Sequence, residues 1–207
     1  MATKATLPPL AYCALKYLLM WLQEERALHA AFAHKPSDQE FRQALRYFRI
    51  SRNFKGITEG ERLRRARSLY LAVASKSALA PENQVVALAT AFKREFNTFN
   101  VSAASKLLWL KYRAPFVVLD TRAVSGLKRV TGERFTSNNY IAYSQVWRCL
   151  YEAMRDEIGR ATSLLPEAVA FLPASHPPKS HLSKLCSSQW FSERVLDIFL
   201  WEAGDDG

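Results

Sequence analysis

Residues 97–124 read NTFNVSAASKLLWLKYRAPFVVLDTRAV. A short apolar run, Pro115-Phe116-Val117-Val118-Leu119, ends abruptly in one carboxylate, Asp120. Before the run, Ser102 or Asn100 caps a helix reaching Tyr112. Pro115 biases Ala114 away from helix, so 114–119 is extended. A helical pattern then restarts at Thr121, with Asp120 as its N-cap, and reaches about Val130. This order of helix, extended apolar connector, carboxylate and helix decides how the rest of the chain is read.

Outward from this segment, helix signals dominate. Leu10 to about His34 has helical apolar spacing and no breaker, and predicts one core helix. Its apolar part, Leu7–Leu22, contains Lys16 and runs into Gln23-Glu24-Glu25-Arg26, too short and interrupted for a membrane span. Ser37-Asp38-Gln39-Glu40 is a capping box opening a helix with Phe41, Leu45 and Phe48 on one face. Residues 51–56 read as a basic loop. Thr58-Glu59-Gly60-Glu61 forms a second box, for a helix to about Ser77. Pro81 suits the first position of a helix reaching about Phe96.

Beyond Thr131-Gly132-Glu133, a turn, Asn138 or Asn139 opens a long helix to about Arg160. Pro166 to Pro178 reads as a loop with one helical turn. Ser187 or Ser188 opens a last helix, ended by Gly204 and followed by a frayed tail, 205–207. Phe116–Leu119 is the one strong strand signal. The expected class is all-α, which excludes the common nucleotide-binding sheets.

Composition narrows the partner. Among 207 residues, 29 Lys and Arg stand against 19 Asp and Glu, a net charge of +10. Such a surplus points to a polyanion, nucleic acid first and an anionic membrane surface second; simple solubility is the competing account. The densest part runs from Arg42 to Arg67 and includes Arg46, Arg49, Arg52, Lys55, Arg62, Arg64 and Arg65. Arginine forks match phosphate oxygens in pairs; a solvated helix face is the competing account. The three cysteines, Cys13, Cys149 and Cys186, form no C-x-x-C. That excludes a cysteine-held zinc or iron–sulfur site and suits a reducing cytoplasm. The histidines His29, His34, His176 and His181 have no metal-ligand spacing, so neither metal nor cofactor is expected.

A carboxylate at a helix N-terminus is stabilised as the anion. A cap alone would account for Asp120, but the apolar approach and the flanking Lys106, Lys111, Arg113 and Arg122 mark it for chemistry on an anionic substrate. Tyr140, Tyr143, Trp147 and Tyr151, with Trp109 and Tyr112, offer faces on which a base can stack. Core packing competes for most of them; Tyr140 and Tyr143, at the start of their helix, are the ones expected to line a cleft.

NVSAASKLLWLKY, then VVLDTRAV, resembles the helix-hairpin-helix DNA glycosylases, most closely their 8-oxoguanine-glycosylase-like prokaryotic branch. There a hairpin and helix precede an apolar run into the essential Asp. SERVLDIFLWEAG, Ser192 to Gly204, is similar to that branch's C-terminal helix. The resemblance implies two helical layers or subdomains around a DNA-binding cleft, within one glycosylase-like domain, 1–207. The hairpin and catalytic segment would cover about 97–130, and a subdomain split would fall near 35–130. Asp120 would be the catalytic carboxylate. Asn100, Ser102, Ser105, Lys106 and Arg122, with Arg49, Arg52 and Lys55, would contact double-stranded DNA. Tyr140, Tyr143 and Trp109 would line the base pocket.

Two departures from the family qualify this. The hairpin's usual G-x-G turn is replaced by Thr98-Phe99-Asn100-Val101-Ser102, where Asn100 is the residue able to turn left-handed. Bifunctional members carry a hairpin Lys for Schiff-base chemistry; the matching position here falls near Val101. The resemblance therefore implies a monofunctional enzyme. Beside it, the cysteine usage and the interrupted apolar stretch lead to the expectation of a cytoplasmic monomer with neither membrane nor protein partner. The enzyme would excise a damaged or modified base, either in repair of oxidised or alkylated DNA or in antiviral defence against phage DNA with hypermodified, for example glucosylated, cytosines. A non-catalytic helical DNA- or RNA-binding protein is the alternative; it needs the basic surface but not Asp120. A third reading is an adaptor that binds protein through its aromatic and arginine faces.

Overall fold

The computed structural model describes residues 7–52, 54–76, 78–171 and 177–204. All regular structure among these is helical, and none of them forms a strand. Residues 172–176 and the tail 205–207, which hold His176 and part of the Pro-rich segment, lie outside the described residues.

The expected first helix is built in three parts. α1 (Leu10–Met20) passes through a π-helical turn, Trp21–Glu25, into α2 (Arg26–Ala33). Then α3 (Asp38–Tyr47) begins with the capping box as read. The Ser37 hydroxyl accepts from the Glu40 N–H at 3.3 Å, and the Glu40 carboxylate accepts from the Ser37 N–H at 2.6 Å. A 3₁₀ turn, Ile50–Arg52, leads towards α4 (Gly60–Ala74). The second capping box does not form. Glu59 is the N-cap and makes no side-chain bond to the helix. Gly60 takes φ 44°, a left-handed value that suits glycine. The Glu61 carboxylate pairs with Arg65 one turn on instead.

α5 (Pro81–Phe96) starts on its proline. α6 (Val101–Tyr112) is capped by Asn100, and α7 (Thr121–Thr131) by Asp120. Gly132 ends α7 at φ 74°. α8 (Tyr140–Ser163) gives way to a 3₁₀ segment, Leu165–Phe171. The Asn139 side chain accepts from the Ala142 N–H at the head of α8, at 3.1 Å. α9 (Lys179–Cys186), which the sequence reading did not anticipate, precedes α10 (Gln189–Ala203).

The chain divides into two compact units. One comprises Glu24–Leu119 and Asn138–Ser144, rather than the expected 35–130. Its core gathers Phe32, Phe41 and Tyr70, with ring centroids 5.4–6.0 Å apart, from α2, α3 and α4. Phe54 closes on Phe92 and Phe96 of α5. Burying each such ring contributes about 1.5–3 kcal/mol. The other unit comprises the chain up to Gln23, Asp120–Ser137 and Gln145 onward. There α10 packs against α7, α1 and α9. Tyr17 meets Phe191 at 4.8 Å, and Leu18, Leu127, Leu196 and Leu200 are fully buried. Among the described residues no helix is long and apolar enough to cross a membrane.

Candidate functional site

The approach to Asp120 begins where α6 ends. Arg113 takes φ 56° and ψ −103°, a conformation that strains a residue with a side chain. The turn through Ala114 and Pro115 follows. Phe116, Val117, Val118 and Leu119 then run outside any helix or strand, and all four are buried. Buried backbone groups need partners, and here no neighbouring strand provides them.

Side-chain hydroxyls do so instead. The Tyr140 hydroxyl accepts from the Val117 N–H at 3.0 Å and donates to the Val117 carbonyl at 2.9 Å. Tyr143 donates to the Val118 carbonyl at 3.1 Å. The Leu119 N–H donates to Ser105 Oγ at 3.0 Å, and that hydroxyl donates to the Ser102 carbonyl at 3.0 Å. The strand-like sequence signal is thus an irregular segment tied to α6 and to the first turn of α8.

Asp120 itself is extended, at φ −133° and ψ 147°, and half-buried. Its carboxylate accepts from the Arg122 N–H at 3.1 Å, and its carbonyl accepts from Val124. These bonds make it the N-cap of α7. In the same unit, the Arg122 guanidinium lies 3.4 Å over the Trp201 ring of α10. α7 and α10 approach so closely that the α-carbons of Gly126 and Gly204 face the opposite helix's backbone.

The remaining candidates separate into buried and exposed sets. Tyr140 and Tyr143, expected to line a cleft, are 2% and 0% exposed. Trp109 is 2% exposed, edge-on to His29 at 4.5 Å and also edge-on to Phe48. All three rings are packed inside their unit, so core packing describes them better than a stacking platform. Ser105 is fully buried, and Lys106 is 7% exposed with its ammonium 5.9 Å from the Phe48 ring. Ser102 and Asn100 are half-buried. Asn100 does not turn left-handed: its φ is −129°, and its side chain accepts from the Ala103 N–H. Asn97 takes the left-handed role instead, at φ 56°, and accepts from the Lys93 ammonium. Val101 is buried.

Of the arginine-rich segment, part is structural. Arg42 donates to the Thr58 carbonyl, Arg65 bridges Glu61 and Glu95, and Arg67 reaches the Pro36 carbonyl and Asp38. Arg62 stacks on Phe96. Arg49, Arg52 and Lys55 are exposed, as are Arg46 and Arg64. None of these five side chains has an ion pair or hydrogen bond among the described residues. From Arg46 to Lys55 a cation recurs every third residue, across the end of α3 and the following 3₁₀ turn.

Sequence reasoning missed one buried polar group. Asp197 of α10 accepts from the Trp147 indole N–H at 2.9 Å and lies 3.4 Å from the Arg194 guanidinium. SERVLDIFLWEAG held the signal: Arg194 and Asp197 are of opposite charge and three residues apart, about one turn of the same helix. Burial also pushes the Cys13 and Cys186 thiols up to about 12, which leaves them unreactive. Among the described residues no three His, Cys, Asp or Glu side chains come together to hold a metal ion.

Comparison with protein-family models, with curated proteins and with solved structures returns no match for this chain.

Proposed function

We propose that the protein is a monofunctional DNA N-glycosylase with Asp120 as its catalytic carboxylate. The observation that carries this reading is the placing of that carboxylate. It stands half-buried at the end of a buried, side-chain-tied segment and at the head of a helix. Cleaving a base–sugar bond develops positive charge at the anomeric carbon. A fixed carboxylate stabilises that charge and orients the attacking water. The base must first leave the stack, at a cost of a few kcal/mol offset by phosphate and pocket contacts. The exposed cations from Arg46 to Lys55 suit the phosphate part of that work, and the resemblance of NVSAASKLLWLKY…VVLDTRAV to the helix-hairpin-helix glycosylases points the same way.

The position where a lyase would carry its lysine is Val101, and Lys106 stands five residues further along the same helix. The product is then an abasic site with no covalent enzyme–DNA intermediate. The substrate is a damaged or modified base; glucosylated cytosine of phage genomes fits a role in antiviral defence. A non-catalytic helical DNA-binding protein is the second reading, favoured by the exposed cations alone, which do not require Asp120.

Replacing Asp120 by Asn separates the two. The glycosylase reading expects abasic-site formation to be lost while DNA affinity is kept or raised, because a carboxylate near phosphates repels them. A wild-type protein that yields no alkali-labile sites on any damaged or phage-modified duplex would leave the binding-protein reading standing. Borohydride should trap no adduct; one trapped through a lysine would overturn the monofunctional assignment.

A further inference from the structure

We infer that Tyr140, Tyr143 and Ser105 are positioning residues for Asp120: three hydroxyls that hold the segment delivering the carboxylate, in place of the strand such a segment would ordinarily pair with. The inference rests on the glycosylase reading for its catalytic consequence, but its geometry stands apart from it.

A buried segment outside any helix ordinarily satisfies its N–H and C=O groups by joining a sheet. In an all-helical unit that solution is absent. Residues 117–119 present their main-chain groups to one hydroxyl of α6 and two of α8. Tyr140 is bonded twice, as acceptor from the Val117 N–H and donor to the carbonyl of the same residue. Tyr143 takes the next carbonyl, and Ser105 the next but one N–H. Successive residues are therefore fixed from opposite sides in sequence, by helices that begin well before and well after them. Leu119, the last residue held, precedes Asp120 by a single peptide bond. A planar peptide leaves few degrees of freedom between a fixed Leu119 N–H and the Asp120 α-carbon.

The chemistry of these hydroxyls supports positioning over contact with substrate. Each is buried, and each is occupied by the backbone. An apolar ring of the same shape fills the same space without the bond, so Tyr140→Phe and Tyr143→Phe loosen the segment without emptying the core. Catalysis by a fixed carboxylate depends on its placing to within about an ångström, and misplacement on that scale costs up to ~100-fold in rate.

The experiment compares Tyr140→Phe, Tyr143→Phe and Ser105→Ala with Tyr47→Phe. The last removes a hydroxyl bond to Glu25 at 2.9 Å in the same unit, one that involves no residue of the segment. The substrate is whichever modified duplex the wild-type protein converts to abasic sites. A second readout needs no activity: the Arg122 amide in a nitrogen-15 spectrum, which reports the bond to the Asp120 carboxylate. The three segment variants should lower kcat by about tenfold to a hundredfold, leave KM unchanged and move the Arg122 amide. Tyr47→Phe should do none of these. An equal loss of kcat in Tyr47→Phe, or an unmoved Arg122 amide in all three segment variants, overturns the inference. If the wild type produces no abasic sites, the glycosylase reading fails. The amide then decides alone: a shift confined to the segment variants upholds the positioning of Asp120, and no shift removes it.

Discussion

Gly126 of α7 faces the main chain of Leu200 in α10: a methyl group on its α-carbon would lie 1.9 Å from the Leu200 carbonyl oxygen. Gly204 returns the relation, at 1.9 Å from the Arg122 carbonyl oxygen. Because backbone stands on both sides, neither helix can yield by turning a side chain. Gly126→Ala must push α7 off α10, and α7 is the helix that Asp120 caps. Overpacking costs about 1–3 kcal/mol in a core, and this substitution belongs at or above the upper end. Gly159, inside α8, has open space at its α-carbon. Gly159→Ala should be neutral or stabilise by about 0.5–1 kcal/mol. Urea unfolding followed by circular dichroism checks both; equal midpoints for the two variants would contradict the close-approach account.

The arginine segment is expected to divide by function as it divides by geometry. Gln at Arg46, Arg49, Arg52 and Lys55 together should weaken DNA binding. It should also flatten the dependence of log affinity on log salt by about one unit of slope per phosphate contact removed. Arg65→Gln with Arg67→Gln should leave that slope unchanged, since these two hold Glu61, Glu95, Asp38 and the Pro36 carbonyl. Exposed pairs such as Arg65–Glu61 contribute at most about 1 kcal/mol to folding. Titrations at several salt concentrations distinguish the sets, and a slope that falls equally in both would refute the division.

Local signals proved the most legible in the sequence. Ser37 and Glu40 sit three apart and close their box by local bonds alone. Pro81 and Asp120 likewise act on the turn that follows them. Thr58 failed because Gly60 interposes a left-handed residue and Glu61 finds Arg65, a competitor one turn away. The rest depended on contacts between residues far apart in sequence. Nothing in the composition near Gly126 announces Leu200, and a tyrosine at a helix start carries no mark of the carbonyl its hydroxyl will reach. Tyr140 and Tyr143 therefore read as cleft residues, although burial and two main-chain carbonyls claim them. Lys106 and Ser105 read as surface groups for a related reason: α6 is buried nearly all round, so periodicity does not reveal which side faces solvent.

The all-helical class, by contrast, followed from the spacing of apolar residues and scarcity of glycine. Its one misleading element, the strand signal at Phe116–Leu119, is the segment whose hydrogen bonds come from Tyr140, Tyr143 and Ser105.

Asp197 gives a pH dependence of stability with a definite sign. Burial pushes its carboxyl up, to about 7, with nearby Glu193 adding to the rise. The Arg194 charge and the Trp147 indole bond pull the other way without cancelling it. In the unfolded chain the group titrates near its ordinary value, about 3.9. The folded state therefore keeps the proton over a range in which the unfolded state has lost it. The resulting stability is complete below about pH 4 and is lost as pH rises through about 7. Glu193 is also raised by burial and adds to the same slope. Asp197→Asn keeps an acceptor for the indole and removes the titration. Its unfolding midpoint should change less between pH 4 and 7 than that of the wild type, while the difference between them stays constant above about pH 8. Midpoints measured across that range decide the matter. Parallel curves for the two proteins would mean that Asp197 is ionised throughout, with Arg194 holding its charge against burial.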